Sequence, residues 1–247
     1  GVGARGDVVG EVCFNTSITG YQEIMTDPSY AGQMITFTFP HIGNVGTNDE
    51  DIENTKPVAL GCILRQDITE PSNYRAQKHF NDWLAEHGRI GIAGVDTRRL
   101  TKRIRTEGAP NGVICHSEDG SFDIEALIAK ANDWPGLEGM DLAKDNSCTT
   151  GYDWDEALWT REGGYGKVGN AKHHVVAIDY GVKRNILRNL ASLDCKVSVV
   201  PATTSADEIL AMNPDGIFLS NGPGDPAATG EYAVPTIKTL IDSGKPV

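Results

Sequence analysis

The sequence predicts an α/β protein in two parts: a β-rich N-terminal domain, then an incomplete doubly wound parallel sheet. Three observations predict this. Before about residue 117 the apolar runs are short, rich in β-branched residues, and separated by polar, glycine-containing loops. From residue 172 onward apolar runs of strand length alternate with stretches of helical period, the pattern of a parallel sheet with helical crossovers. Third, the apolar run 215–219 stops abruptly in Ser220-Asn221-Gly222-Pro223-Gly224-Asp225-Pro226. The expected boundaries are a first domain over 1–140, a linker over 141–171, and a second domain over 172–247.

In the first domain, residues 1–6 fit the dinucleotide pattern G-x-G-x-x-G. No strand precedes them, and Val8-Val9-Gly10-Glu11-Val12 follows where a helix is required, so the match is rejected. Residues 8–14 and 34–39 read as strands, the second alternating by two. Between them lies a stretch dense in hydroxyls and amides, 15–30, ending in the turn signal Asp27-Pro28-Ser29. Within it Thr19 and Gln22 have the spacing of a capping box. Asn15-Thr16-Ser17 is a glycosylation sequon, read as chance because no secretory signal accompanies it. His41, in the polar loop 40–48, could ligate a metal, but no second histidine lies near, so it reads as an ordinary loop residue. Residues 80–88 form an amphipathic helix closed by Gly88. A strand over 89–95 follows, then a helix from Asp96 or Thr97 through Arg105. That helix carries five basic residues in an acidic chain: either a solvated face or a docking face for an acidic partner. A short helix is expected over 124–132. Further on, 149–151 and 161–169 have no periodicity and read as linker.

The second domain is more regular. Residues 175–179 form a continuous apolar strand. A helix over 183–193 places Ile186, Leu187, Leu190 and Leu193 on one face. A strand over 196–200 follows, then a helix to Met212 opened by Ser205 and Glu208 in capping-box spacing. Residues 217–219 are the third strand, 232–242 the third helix, and 245–247 the start of a fourth strand. A sheet of three strands plus a stub is not a finished domain, so more chain is expected after Val247.

The turn at 220–226 is the chemically suggestive element. Gly222 and Gly224 can adopt positive φ and leave room above the backbone, and Pro223 and Pro226 fix φ and remove two donors. A stiff turn with outward N–H groups at the carboxyl end of a strand stands where open α/β sheets bind ligands. Such N–H groups can hold an anion or a developing oxyanion. An ordinary strand-to-helix turn is the plain alternative.

Composition limits the function classes. The chain has 247 residues, 39% of them hydrophobic, and a net charge of −12 without a long basic run. Nucleic acid and anionic membrane surfaces are therefore not expected partners. No apolar run is long enough to span a bilayer, and the opening residues do not read as a signal peptide. The cysteines, at 13, 62, 115, 148 and 195, are odd in number and widely spaced, so neither a disulfide framework nor a metal site is expected. A reducing cytoplasm is the expected location.

The Asn-Gly-Pro-Gly-Asp-Pro sequence at 221–226 resembles the class I glutamine amidotransferase motif. Residues 15–30, 40–48, 96–101, 139–143 and 176–188 are similar, in order, to the small, glutamine-hydrolysing subunit of carbamoyl-phosphate synthases. The resemblance implies that the second domain is the N-terminal part of an amidotransferase domain. It implies that a cysteine thiolate attacks the glutamine side-chain amide, and that ammonia passes through a tunnel to a large subunit. That subunit makes carbamoyl phosphate from bicarbonate with ATP and Mg²⁺, for arginine and pyrimidine synthesis. By motif, Ser29, Gly222 and Gly224 bind glutamine, in a site bridging both domains. The family's nucleophilic cysteine stands just after the strand that begins at 245–247, with its His and Glu partners later still. On this resemblance no catalytic residue is visible in the chain: all lie beyond Val247, and no cofactor or metal belongs to the chain itself. Cys195 opens a strand and reads as buried and inert. Two other readings stay open. One is a non-catalytic structural or regulatory module of an ammonia-dependent synthase. The other is an acidic scaffold that only docks a partner.

Overall fold

The computed structural model describes residues 1–247 and divides them into two compact units, Gly1–Leu137 and Glu138–Val247. The first contains β1 (Val2–Gly3), β2 (Gly6–Asn15), α1 (Tyr21–Thr26), a 3₁₀ turn (Pro28–Tyr30), β3 (Gln33–Phe37), β4 (Gly61–Ile63), α2 (Phe80–Glu86), β5 (Ile90–Ile92), α3 (Thr97–Glu107), β6 (Asn111–His116) and α4 (Ile124–Asp133). The second contains α5 (Leu142–Asn146), β7 (Tyr152–Trp154), β8 (Glu156–Thr160), β9 (Gly164–Lys167), β10 (His173–Asp179), α6 (Arg184–Ser192), β11 (Cys195–Pro201), α7 (Ala206–Ala211), β12 (Gly216–Leu219) and α8 (Pro226–Asp242). No helix is long and apolar enough to cross a membrane.

The first unit is built on a six-stranded sheet of order β1-β5-β4-β3-β2-β6. The four inner strands run parallel, and β1 and β6 are antiparallel edges. Both faces are covered. Met25, Ile35, Phe37, Leu64, Phe80 and Leu84 form one core, under α1 and α2. Val12, Met34, Ile63, Ile90, Ile104 and Ile114 form the other, under α3. This two-sided burial explains why the alternation in β3 does not mark a solvent face: Thr36 is fully buried. α1 starts without the expected capping box. Gly20, at φ 79, is its N-cap, with no side-chain cap bond. Gln22 is used elsewhere: its Nε2 donates to the Asn48 carbonyl (2.6 Å) and its Oε1 accepts from Asn48 N (2.9 Å). Buried loop backbone needs such partners, and they outweigh a cap that water can replace.

The second unit has a four-stranded sheet of order β12-β10-β11-β7. Its three parallel strands and their crossovers are the predicted ones. Val176, Ile178 and Ile217 pack with Ile209 of α7 and Leu240 of α8 on one face. Ala177, Val197 and Val199 pack with Leu187 of α6 on the other. The Ser205–Glu208 capping box forms as expected.

Two expectations are corrected. Residues 141–171 are not an irregular linker but part of this unit. β7 adds antiparallel to β11, β8 and β9 form a hairpin, and Trp154 packs on the α6-side core. An open β11 edge would leave a row of unpaired backbone groups, and three residues suffice to cover it without leaving a period in the sequence. The last helix begins at Pro226 rather than at 232, because Asp225 caps it, accepting from Ala227 N at 2.8 Å. Asp-Pro here is an N-cap followed by proline at the first helical position. The Pro246 carbonyl accepts from Ile217 N of β12 at 2.8 Å, although no strand is formed over 245–247.

Candidate functional site

The site in the second unit is assembled where β10 and β12 end side by side, Ile178 paired with Leu219. Their following turns are therefore neighbours. After β10, Asp179 folds the chain back. This buried carboxylate accepts from Gly181 N (2.9 Å) and Val182 N (2.8 Å) through Oδ1, and from Cys148 N (2.8 Å) through Oδ2. A buried charge is tolerated when backbone donors surround it in this way. Tyr180 is thereby held beneath the Gly-Pro loop, where its N–H donates to Ser220 Oγ at 2.9 Å.

Glycine is required twice in the loop, for different reasons. A Cβ on Gly222 would stand 2.2 Å from the Tyr180 carbonyl oxygen, and Gly222 does not have positive φ. Gly224 does, at 85°, and a Cβ there would stand 2.5 Å from the Met140 carbonyl oxygen. The sequence expectation of positive φ thus holds for Gly224 alone. At Gly222 the demand is close backbone approach.

Asp225 closes the loop onto residues 139–140. Its Oδ2 accepts from Gly139 N at 2.8 Å, and its own N–H donates to the Met140 carbonyl at 2.9 Å. Hydrogen bonds from Gly139 and Ala227 hold the Asp225 carboxyl below the usual range. Asp141 extends the contact, its Oδ1 accepting from Thr229 Oγ1 and Tyr232 Oη at 3.2 Å each. Burial, reinforced by Asp141, pushes the Tyr232 hydroxyl up to about 12. Tyr180, Ser220, Gly222, Pro223, Gly224 and Thr229 lie on the wall of a 320 Å³ cavity. Neither Gly222 nor Gly224 uses its N–H in a hydrogen bond within the chain. The loop therefore offers rigid, uncommitted donors beside a cavity, an arrangement that can hold a polar or anionic group. Sequence reasoning placed Asp179, Ser220 and residues 139–141 within its motifs but gave none of them a role. A Gly-Met-Asp segment has no period to follow; only its Asp141, the N-cap of α5, has a recognisable signature.

Ser29 belongs to the first unit. It is the middle residue of the 3₁₀ turn, half-buried, and its N–H donates to Asp27 Oδ1 at 2.9 Å. Proline at the first position and the Asp27 cap fix this turn. The neighbouring Tyr30 hydroxyl accepts from Asn15 Nδ2 at 2.9 Å. The basic residues Arg98, Arg99, Lys102 and Arg103 are all exposed on α3.

Four of the cysteines have raised thiols. Burial pushes the thiols of Cys13, Cys62 and Cys148 up to about 12, and raises that of Cys195 as well. Cys195 is buried, as expected, and its thiol donates weakly to the Leu193 carbonyl at 3.7 Å. Cys115 lies within β6, not on a strand-to-helix elbow.

Comparison with known proteins agrees with this architecture. Residues 1–114 match the family model for the CPSase domain of the carbamoyl-phosphate synthase small chain. Residues 176–247 match the family model for class-I glutamine amidotransferases. The chain is 61% identical over 250 residues to the carbamoyl phosphate synthase small chain of Bradyrhizobium diazoefficiens, covering 100% of this chain and 63% of that protein. It is 61% identical over 253 residues to the protein of the same name from Rhizobium meliloti, with the same coverage. With the Caulobacter vibrioides small chain it shares 59% over 251 residues, covering 100% of this chain and 65% of that one. It thus spans under two thirds of the length of these relatives. With both domain types in the same order and this identity throughout, the chain belongs to the carbamoyl-phosphate synthase small chain family.

Proposed function

We propose that this chain provides the glutamine-binding part of the glutaminase component of a carbamoyl-phosphate synthase, a ligase, acting in the cytoplasm. The Gly222–Gly224 loop carries the reading: two uncommitted N–H groups held rigidly at the carboxyl end of β12. In the proposed reaction a thiolate attacks the side-chain carbonyl carbon of L-glutamine. The tetrahedral oxyanion takes a hydrogen bond from a loop N–H, the C–N bond breaks, and the nitrogen leaves as ammonia after gaining a proton. Water then cleaves the thioester, giving glutamate and restoring the thiol. Gly222 and Gly224 line the glutamine site, and Ser29 binds the polar backbone groups of glutamine. Ammonia passes to a large subunit, which uses ATP and Mg²⁺ with bicarbonate. In this reading the nucleophile lies outside residues 1–247; the raised thiols of Cys13, Cys62, Cys148 and Cys195 support it.

The same observation supports a second reading. If the equivalent of the nucleophile is not a cysteine in the longer protein, the chain is part of a non-catalytic module of an ammonia-dependent synthase. Assaying the longer protein with its large subunit, on glutamine and on ammonia, separates the two. Carbamoyl phosphate from both nitrogen sources supports the glutaminase; product from ammonia alone supports the module.

A further inference from the structure

α3 has a charge pattern that its own stability does not explain. Arg98 and Arg99 stand in its first turn, where the helix dipole disfavours cations; the acidic residue beside them is the N-cap Asp96, which accepts from Arg99 N. Arg98 with Lys102, and Arg99 with Arg103, are like charges at i,i+4, which repel. The carboxylates nearby are already engaged: Asp96 pairs with Arg65 (2.8 Å) and Glu107 with Arg103 (2.8 Å). Arg98, Arg99, Lys102 and Arg105 have no acidic partner and are exposed. This clustering occurs in a chain of net charge −12.

The cations border a groove of 750 Å³ along the helix, in which Val95 and Leu100 present apolar surface while Arg99, Lys102 and Arg103 supply positive charge. Both apolar residues are half-buried members of the α3-side core. The helix is 11 residues long, about 16 Å at 1.5 Å per residue. That length accommodates roughly five residues of an extended segment. Unfavourable placement without an internal partner is the kind of local conflict that marks a functional surface.

We propose that this groove docks an acidic segment of the large subunit, its carboxylates against Arg99 and Lys102 and an apolar side chain on Val95 and Leu100. The inference rests on the assignment of a large-subunit partner above and locates where that partner is held. The apolar floor of Val95 and Leu100 favours a protein segment over nucleic acid, and the unpaired Arg99 and Lys102 favour an acidic one.

The test uses the full-length small chain and its purified large subunit. Complex formation is measured by titration at low and high salt, with thermal unfolding of each small-chain variant recorded alongside. Arg99→Glu/Lys102→Glu is expected to weaken assembly about tenfold or more at low salt, with the gap narrowing as salt rises. Arg99→Gln/Lys102→Gln, which avoids new repulsion within the helix, should weaken it in the same direction. Leu100→Asn should weaken it at both salt concentrations. Wild-type assembly by a folded Glu or Gln double variant overturns the groove and leaves the family-level partner intact. A wild-type small chain that does not bind the large subunit overturns both. Normal assembly by the double variants, with loss of binding only to an RNA probe, also overturns the proposal and assigns the cations to nucleic acid.

Discussion

The Asp225 carboxylate accepts from Gly139 N at 2.8 Å while Asp225 N donates to the Met140 carbonyl at 2.9 Å. This reciprocal pair ties a loop at the end of β12 to a segment 85 residues earlier in sequence, and it stiffens the peptide groups of Gly222 and Gly224. Asp225→Ala removes the acceptor for Gly139 and the cap of α8 together. It should lower both the melting temperature of the second unit and glutamine turnover in the longer protein. Asp225→Asn, which keeps one oxygen, should lie between. The Asp225 carboxyl is held below its ordinary value in the folded state. Its stabilising contribution is therefore present above the unfolded pKa and lost as pH falls through the folded one. Melting curves down an acid series should show the wild type losing its advantage over Asp225→Ala.

Gly222→Ala tests the loop itself. The added methyl meets a backbone oxygen at 2.2 Å, so either the loop or the Tyr180 turn must move. We expect a loss of about 1–3 kcal/mol in stability. The fall in glutamine hydrolysis should be larger, since an oxyanion donor is worth roughly 10²–10³ in rate. Normal hydrolysis and normal melting together would remove this glycine from the site.

Ser29→Ala should raise KM for glutamine while ammonia-dependent synthesis persists. A hydrogen bond to a charged group contributes about 1.5–3 kcal/mol, or roughly ten- to a hundredfold. Steady-state kinetics with each nitrogen source decides this. Equal effects on both would make Ser29 a folding residue of its 3₁₀ turn.

A pH effect is expected in the first unit. Burial, with Asp51 and Glu53 adding to it, raises the Glu23 carboxyl from 4.5 to about 7. Between these values the folded state binds the extra proton, so stability falls as pH rises through this window and the full penalty applies above it. Glu23→Gln removes the titration. It should leave stability unchanged below 4.5 and raise it by about 3 kcal/mol well above neutrality. Urea unfolding across the range should show the wild-type slope vanish in the variant.

What the sequence made legible follows from local physics. The three parallel strands and the Ser205–Glu208 cap were readable because apolar runs and capping boxes carry their own signals. The Gly-Pro loop was readable because few structures need that density of Gly and Pro after a strand. β7 was not, because an edge strand of three residues leaves no period. The start of α8 was not, because Asp225 and Pro226 read as the end of the Gly-Pro turn, whereas they are the N-cap and first residue of the helix. Gly222 reads in the sequence as a glycine of positive φ that also leaves space above the backbone; the space is required, but the neighbour that requires it, Tyr180, is near only in three dimensions. Ser29, Gly222 and Gly224 came from motif resemblance. Nothing in periodicity singles out a serine in a 3₁₀ turn.

The most direct measurement of the central claim labels the longer protein with a glutamine chloroketone and maps the alkylated peptide by mass spectrometry. The account predicts one modified cysteine, outside residues 1–247, protected by glutamine and lost from the labelled set in Gly222→Ala. Glutamine-protected alkylation of Cys13, Cys62, Cys115, Cys148 or Cys195 would contradict it, because a visible thiol would then be the nucleophile.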